Sequence, residues 1–416
     1  MNIYAIIILI AVVGRFIIEV ISERLNIRSL SAPLPAELQG LYDETKYRNS
    51  QEYTKTRSQF HLIESTFGIA VLLLFWFAGG FNHADRFARG FELAPLWTGI
   101  VYIGILALAS NLLSLPFSLY STFVIEEKFG FNKTTPRTFI LDRLKALMLT
   151  LILGVPVLAL ILWFFGSAGP HGWLYAWAAV FSFSLIVQFL APAWIMPLFN
   201  KFTPLQEGEL KGAISGYAKS VRFSFKDIFV VDGSRRSTKP NAFFTGFGRS
   251  KRIALFDTLV AEHSIPEVVA VLAHEVGHYK MKHVLKMMAL SFLQLGIIFY
   301  LLSIFITKED LFAAFYVDSI SVYAGLLFFG LLFEPISFAL GLLINFFSRK
   351  HELQADRFAV QTTENPDHMI SALKKLSVKT LSNLTPHPAY VFLNYSHPPL
   401  LERVGAIRQV SQKHTV

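Results

Sequence analysis

His274-Glu275-Val276-Gly277-His278 sets two imidazoles four positions apart, with a carboxylate between them. On a helix such positions share one face, so both rings can grip a single metal ion with Glu275 beside it. A zinc ion held this way brings the pKa of its water toward about 7. Glu275 is then placed to take that proton as the water attacks a peptide carbonyl, and to return it to the leaving amine. The stretch before the motif supports a helix. Ser264 and Glu267 have capping-box spacing, and Pro266 suits a first turn.

A catalytic zinc needs a third protein ligand and an open fourth position. The chain contains no cysteine, so nitrogen or oxygen must supply it. The same absence excludes a thiol protease and a disulfide scaffold. Glu352, in Ser348-Arg349-Lys350-His351-Glu352-Leu353-Gln354-Ala355-Asp356, is the best candidate. His351, His368, His283 and Glu334 are weaker ones. Asp356 lies one turn beyond Glu352, where it can accept a hydrogen bond from a ligating histidine. No G-x-S-x-G elbow appears, and Gly246-Phe247-Gly248-Arg249-Ser250-Lys251 lacks phosphate-loop spacing.

The elements that must position these residues follow from composition. Of 416 residues, 53% are hydrophobic and only 16% charged, with mean hydropathy +0.47. Soluble domains are about a quarter charged, so the chain is expected to be an α-helical integral membrane protein. Seven apolar stretches are long enough to span a bilayer: 3–20, 62–81, 97–124, 146–166, 173–199, 284–307 and 322–347. The first has no basic region before it and no small-x-small exit, so it reads as a span and not a cleaved signal. Pro116 and Pro192 fall inside the two longest stretches, where tilt or kinks are expected. Of the 38 basic residues, 33 fall on the segments joining spans 1–2, 3–4 and 5–6 and on the C-terminal tail. That bias puts these segments on the cytoplasmic side. The positive charge is thus spread over one membrane face and not gathered into a nucleic-acid motif, so no nucleic-acid partner is expected. Trp97 and Trp173 read as interfacial anchors.

Four regions result. Residues 1–199 carry spans 1–5. Residues 200–283 carry a metalloprotease region with the motif helix, plus strands at 241–247 and 252–256 joined by a turn. Residues 284–347 carry the last two spans, and 348–416 return with the third ligand.

In that order, Leu115-Pro116-Phe117-Ser118-Leu119-Tyr120, Glu126-Glu127-Lys128-Phe129-Gly130-Phe131-Asn132-Lys133, Asn241-Ala242-Phe243-Phe244, the His274–His278 motif, Glu352-Leu353-Gln354-Ala355-Asp356 and Ser396-His397-Pro398-Pro399-Leu400-Leu401-Glu402-Arg403 resemble the type I CAAX prenyl protease family. The resemblance implies seven transmembrane helices around an enclosed, water-containing chamber, with a metalloprotease region carrying a small sheet. It implies one zinc per chain, held by His274, His278 and Glu352, with Glu275 as general base. It implies that Asn241 lies on an edge strand where an extended substrate pairs. It implies that His397 and Arg403 point at the site, binding substrate or stabilising the oxyanion. By its residues alone, His397 fits the cap of the helix begun by Pro398-Pro399 equally well. Substrates of the family are proteins or peptides ending in a prenylated Cys-a-a-X, from which the last three residues are removed.

Compact loops and the tail Gln412-Lys413-His414-Thr415-Val416, which lacks a KKxx-like signal, lead us to expect a bacterial inner membrane over an endoplasmic reticulum. The alternative role is then general membrane-protein quality control without prenylation. A protease with its motif inside a span is disfavoured by Lys280 and Lys282 just after it, and a smaller heat-shock-type enzyme by the span count. A transporter or channel is disfavoured by the absence of paired repeats and by the retained Glu275 and Glu352.

Overall fold

The computed structural model describes residues 1–40, 42–245 and 251–412. Most of the expected turn after the first hairpin strand and the last four residues of the tail lie outside them.

The chain begins with α1 (Ile3–Ser29), α2 (Glu44–Phe77), α3 (Gly80–Arg89), α4 (Pro95–Tyr120), α5 (Pro136–Leu149), α6 (Val155–Ser167), α7 (Gly172–Leu190) and α8 (Met196–Phe199). A four-stranded sheet follows, built of β1 (Phe202–Pro204), β2 (Asp227–Val231), β3 (Ala242–Thr245) and β4 (Arg252–Phe256), with α9 (Glu209–Ser220) between β1 and β2. Then come α10 (Asp257–Glu262), α11 (Ile265–Lys280), α12 (His283–Phe305), α13 (Glu309–Ala313), α14 (Val322–Leu332) and α15 (Glu334–Thr363). The chain closes with α16 (Pro366–Lys379), α17 (Pro388–Asn394) and α18 (Leu400–Gln412).

Among the described residues six helical runs are long and apolar enough to cross a membrane, and α14 with α15 makes a seventh, bent by 57°. The bend falls at Glu334-Pro335, where proline offers no N–H and its ring crowds the carbonyl four residues back. The other prolines are absorbed differently. The helix beyond Pro116 widens into a π turn over Ser121–Glu126, and Pro192 sits inside another over Ala191–Ile195. Widening relieves the lost hydrogen bond without breaking the span.

The sheet order is β1-β2-β4-β3. The expected hairpin is the antiparallel β3–β4 pair, in register from Ala242 opposite Leu255 to Thr245 opposite Arg252. The sequence reading lacked β1 and β2; β2 runs parallel to β4, and β1 antiparallel to β2. β3 lies at an edge of the sheet.

One apolar core joins the sheet to the helices from both polar regions. It includes Ile214, Ile228, Leu255, Leu272, Ile370 and Val404. At its centre α11 lies against α15. A Cβ at Gly277 would come within 3.1 Å of the Ala355 Cα, so glycine here sets how closely the two helices approach.

The capping box that starts α11 is present. The Ser264 amide donates to Glu267 Oε2 at 2.8 Å, as does Lys375 Nζ from α16, while Ser371 Oγ donates to Glu267 Oε1 at 2.5 Å. Burial opposes the charge on Glu267, but these donors override it and hold the carboxyl at about 2. A depressed carboxyl stabilises the fold above its unfolded value of 4.5, and that contribution fades as pH falls toward about 2. Glu267→Gln should therefore destabilise the protein by about 1–3 kcal/mol at neutral pH. Thermal unfolding in detergent should show the gap between the two proteins closing below pH 4.5. A gap independent of pH would remove the carboxylate as its cause.

Candidate active site

α11 and α15 bring His274, His278 and Glu352 together. Their nearest ligand atoms are 3.1 Å apart between the two Nε2 atoms, 3.4 Å from His274 Nε2 to Glu352 Oε2, and 3.3 Å from His278 Nε2 to Glu352 Oε1. Ligands bound at 2.0–2.1 Å around a tetrahedral zinc sit about 3.3–3.4 Å apart along each edge. The donor set and its spacing therefore fit zinc, and it is the one such group found among the described residues.

Each imidazole is held from behind. Asp356 Oδ1 lies 2.8 Å from His274 Nδ1, which leaves Nε2 with its lone pair toward the other ligands. Burial alone would lower the His274 pKa, but hydrogen bonds to Asp356 and Glu352 raise it to about 9, making the ring a stronger donor to a metal. Asp356 is gripped in turn by Arg403 from α18, whose Nε and Nη2 donate to its two oxygens at 2.8 and 2.6 Å. Behind His278 stands His283: their Nδ1 atoms are 3.1 Å apart, and His283 Nε2 lies 2.9 Å from Gln354 Oε1. An amide oxygen only accepts, so His283 carries its proton on Nε2 and accepts from His278 Nδ1–H. That fixes the His278 tautomer with Nε2 facing the ligand cluster.

Glu275 follows His274 on α11, and burial pushes its carboxyl up, which suits a base that must both take and release a proton. His397 Nε2 is 3.4 Å from Glu352 Oε1, and its Nδ1 is 2.9 Å from Ser396 Oγ. Arg403 Nη2 is 3.8 Å from Glu352 Oε2. Asn241 is exposed directly before β3; its side-chain oxygen accepts from the Ala242 amide, and its carbonyl accepts from the Phe256 amide. Of the weaker ligand candidates, His351 stacks on His283 at 4.0 Å, His368 pairs with Asn365, and Glu334 is the first residue of α15, at the bend. The roles of His283 and Gln354 behind His278 went unread in the sequence, because no spacing rule connects residues on separate helices.

The chain is similar along its whole length to known proteins. Residues 23–201 match the family described as "CAAX prenyl protease N-terminal, five membrane helices", and residues 204–411 match "Peptidase family M48". "CAAX prenyl protease 1 homolog" of Arabidopsis thaliana is 38% identical over 415 residues, covering 95% of this chain and 96% of its own. "CAAX prenyl protease 1" of Saccharomyces cerevisiae is 35% identical over 406 residues, covering 91% and 89%. The crystal structure of S. mikatae Ste24p superposes with a TM-score of 0.94 at 33% identity, covering 98% of this chain and 99% of that one.

Asp356→Asn keeps the shape but loses the charge shared by His274 and Arg403. Zinc affinity, read by chelator competition, should fall about 10–100-fold. Unchanged affinity would mean that Asp356 serves only to hold α18.

Proposed function

The chain belongs to the CAAX prenyl protease family and is a multi-pass membrane zinc metalloprotease, and from that premise we propose that it cleaves the last three residues from prenylated Cys-a-a-X termini. Similar proteins are named CAAX prenyl proteases, and the observation that carries the reading here is the ligand triad, with edges of 3.1–3.4 Å, beside a partly buried Glu275.

His274, His278 and Glu352 would hold the metal. When bound, zinc supplies Lewis-acid polarisation of a carbonyl and an acidified water. Glu275 accepts the proton from the attacking water and later delivers it to the departing amine nitrogen. Burial raises the pKa of Glu275, which makes it a stronger base toward the attacking water. Arg403, fixed by its fork on Asp356, and His397 are donors that can stabilise the oxyanion as the carbonyl becomes tetrahedral. Asn241 stands directly before the edge strand β3, beside which an extended peptide can add as a further strand and present its carbonyl in register. Asp356 positions His274 and Arg403 and touches no substrate.

We assign the site to the cytoplasmic side because 33 of the 38 basic residues lie on the segments that share it. The similar proteins named above are eukaryotic, so the bacterial membrane expected from the loops and tail gains nothing from them.

Glu275→Gln should lower kcat by about 10²–10⁴-fold while metal analysis finds zinc retained. Wild-type turnover by that variant would end the base assignment. Mass spectrometry of products from matched peptides with and without a prenyl group should find loss of the last three residues, with the prenylated peptide preferred. Equal cleavage of both would favour general membrane proteolysis, and cleavage that persists in a zinc chelator would reject the metal mechanism.

A further inference from the structure

One cavity touches the ligand triad, and a second touches the two side chains that stand beside Glu352. One, of about 610 Å³, lies between α7, α12 and α15 and is lined by His278 itself. Most of its wall area is apolar, from Phe181 and Leu185 on α7 and Met287, Met288, Leu295 and Ile298 on α12, while Gln188, Gln294, three serines, His283 and His351 also line it. The other, of about 440 Å³, is lined by His397 and Arg403 and by the polar groups of Ser377, Asn383 and Asn394. It shares Asn383, Asn394 and Tyr395 with a third cavity of about 420 Å³, lined by Arg57 and Glu23. One buried oxygen of Glu23 has no protein partner. A fourth cavity, of about 540 Å³, is bounded by α2, α4 and α14 and has even more apolar walls, yet no member of the site lines it.

The proposed substrate chemistry chooses between these spaces. In Cys-a-a-X cleavage the attacked carbonyl belongs to the cysteine that bears the lipid. The thioether therefore starts within a few bonds of the reacting carbon, and its tail must leave through a space that touches the triad. The free carboxylate end leaves the opposite side of the same bond and carries charge. Resting on the function proposed above, the geometry points to the cavity between α7 and α12 as the site of the isoprenoid tail, with the three-residue carboxylate end directed into the polar passage past His397 and Arg403. The more apolar space at α2 and α14 is excluded by distance along the substrate, because it borders no group of the site. The tail cavity lies in the volume range of pockets that bury ligands of this size. Its two methionines suit a flexible branched chain, since unbranched thioethers adapt to irregular shapes. The passage beyond Asn383 supplies Arg57 for a carboxylate and Glu23 for the new α-amine of the released tripeptide.

Filling the tail cavity is the first test. Met288→Trp should lower the ratio of kcat/KM for a farnesylated peptide to that for its unprenylated match by about tenfold or more. Leu327→Trp, in the remote apolar cavity, should leave that ratio at the wild-type value. An unchanged ratio in the first variant, or a drop in the second, overturns the assignment. Photo-crosslinking gives an answer that does not depend on turnover. A peptide with a diazirine in its isoprenoid tail, bound to zinc-loaded Glu275→Gln protein, should label α7 and α12. Adducts on α2, α4 or α14 overturn the assignment. Failure of the wild-type protein to cleave either peptide would instead reject the proposed function, while the adduct map would still report where the tail lies.

Discussion

Glu352 and Asp356 are buried one turn apart on α15, and the surrounding structure has to answer their charge. Moving an ionised carboxylate out of water costs several kcal/mol unless partners replace the lost hydration. Glu275 adds a third negative group beside them. Arg403 returns one positive charge through its fork on Asp356. With Glu275 ionised and both imidazoles neutral, as metal ligation requires, the cluster is short by two positive charges, which is what one divalent cation contributes. Metal affinity, the docking of α18 and the closeness of α11 to α15 are therefore consequences of the same electrostatic need. Gly277 belongs to it as well, because a side chain there would push the histidines away from Glu352.

The membrane-spanning part solves a different problem. Each span satisfies its own backbone hydrogen bonds, as hydrocarbon demands, so the side chains are free to shape the space between helices. Aromatic packing fixes one end of that assembly: Trp76, Phe81, Phe315 and Phe328 stack or meet edge to face around the α13–α14 region. Other phenylalanines, Phe67, Phe75 and Phe117 among them, line an internal space. The space between the helices is a series of cavities, one of which touches His278 of the ligand triad while another touches His397 and Arg403 beside Glu352. That asymmetry gives the site a direction before any substrate binds.

The span broken at Pro335 ties the two parts together. Because α15 continues unbroken from Glu334 to Thr363, it carries the third ligand and Asp356 on the same rigid rod that begins in the membrane-spanning region. The 57° bend aims that rod at α11.

Much of this was legible from the amino acids. A hydrophobic run long enough for a bilayer has few alternatives to a helix, so the seven spans could be read by length and polarity. Two histidines one helical turn apart share a face through backbone geometry alone, and Ser264 with Glu267 starts that helix through local hydrogen bonds. Glu352 and Asp356 could be named as candidates because their spacing on one helix is also local. What the sequence could not decide was everything that depends on contact between distant segments. The bidentate grip of Arg403 on Asp356, the support of His278 by His283 and Gln354, the parallel pairing of β2 with β4, and which cavity borders which ligand all join residues far apart in the chain. No periodicity encodes those distances; they are set where packing and charge neutralisation are satisfied together in three dimensions.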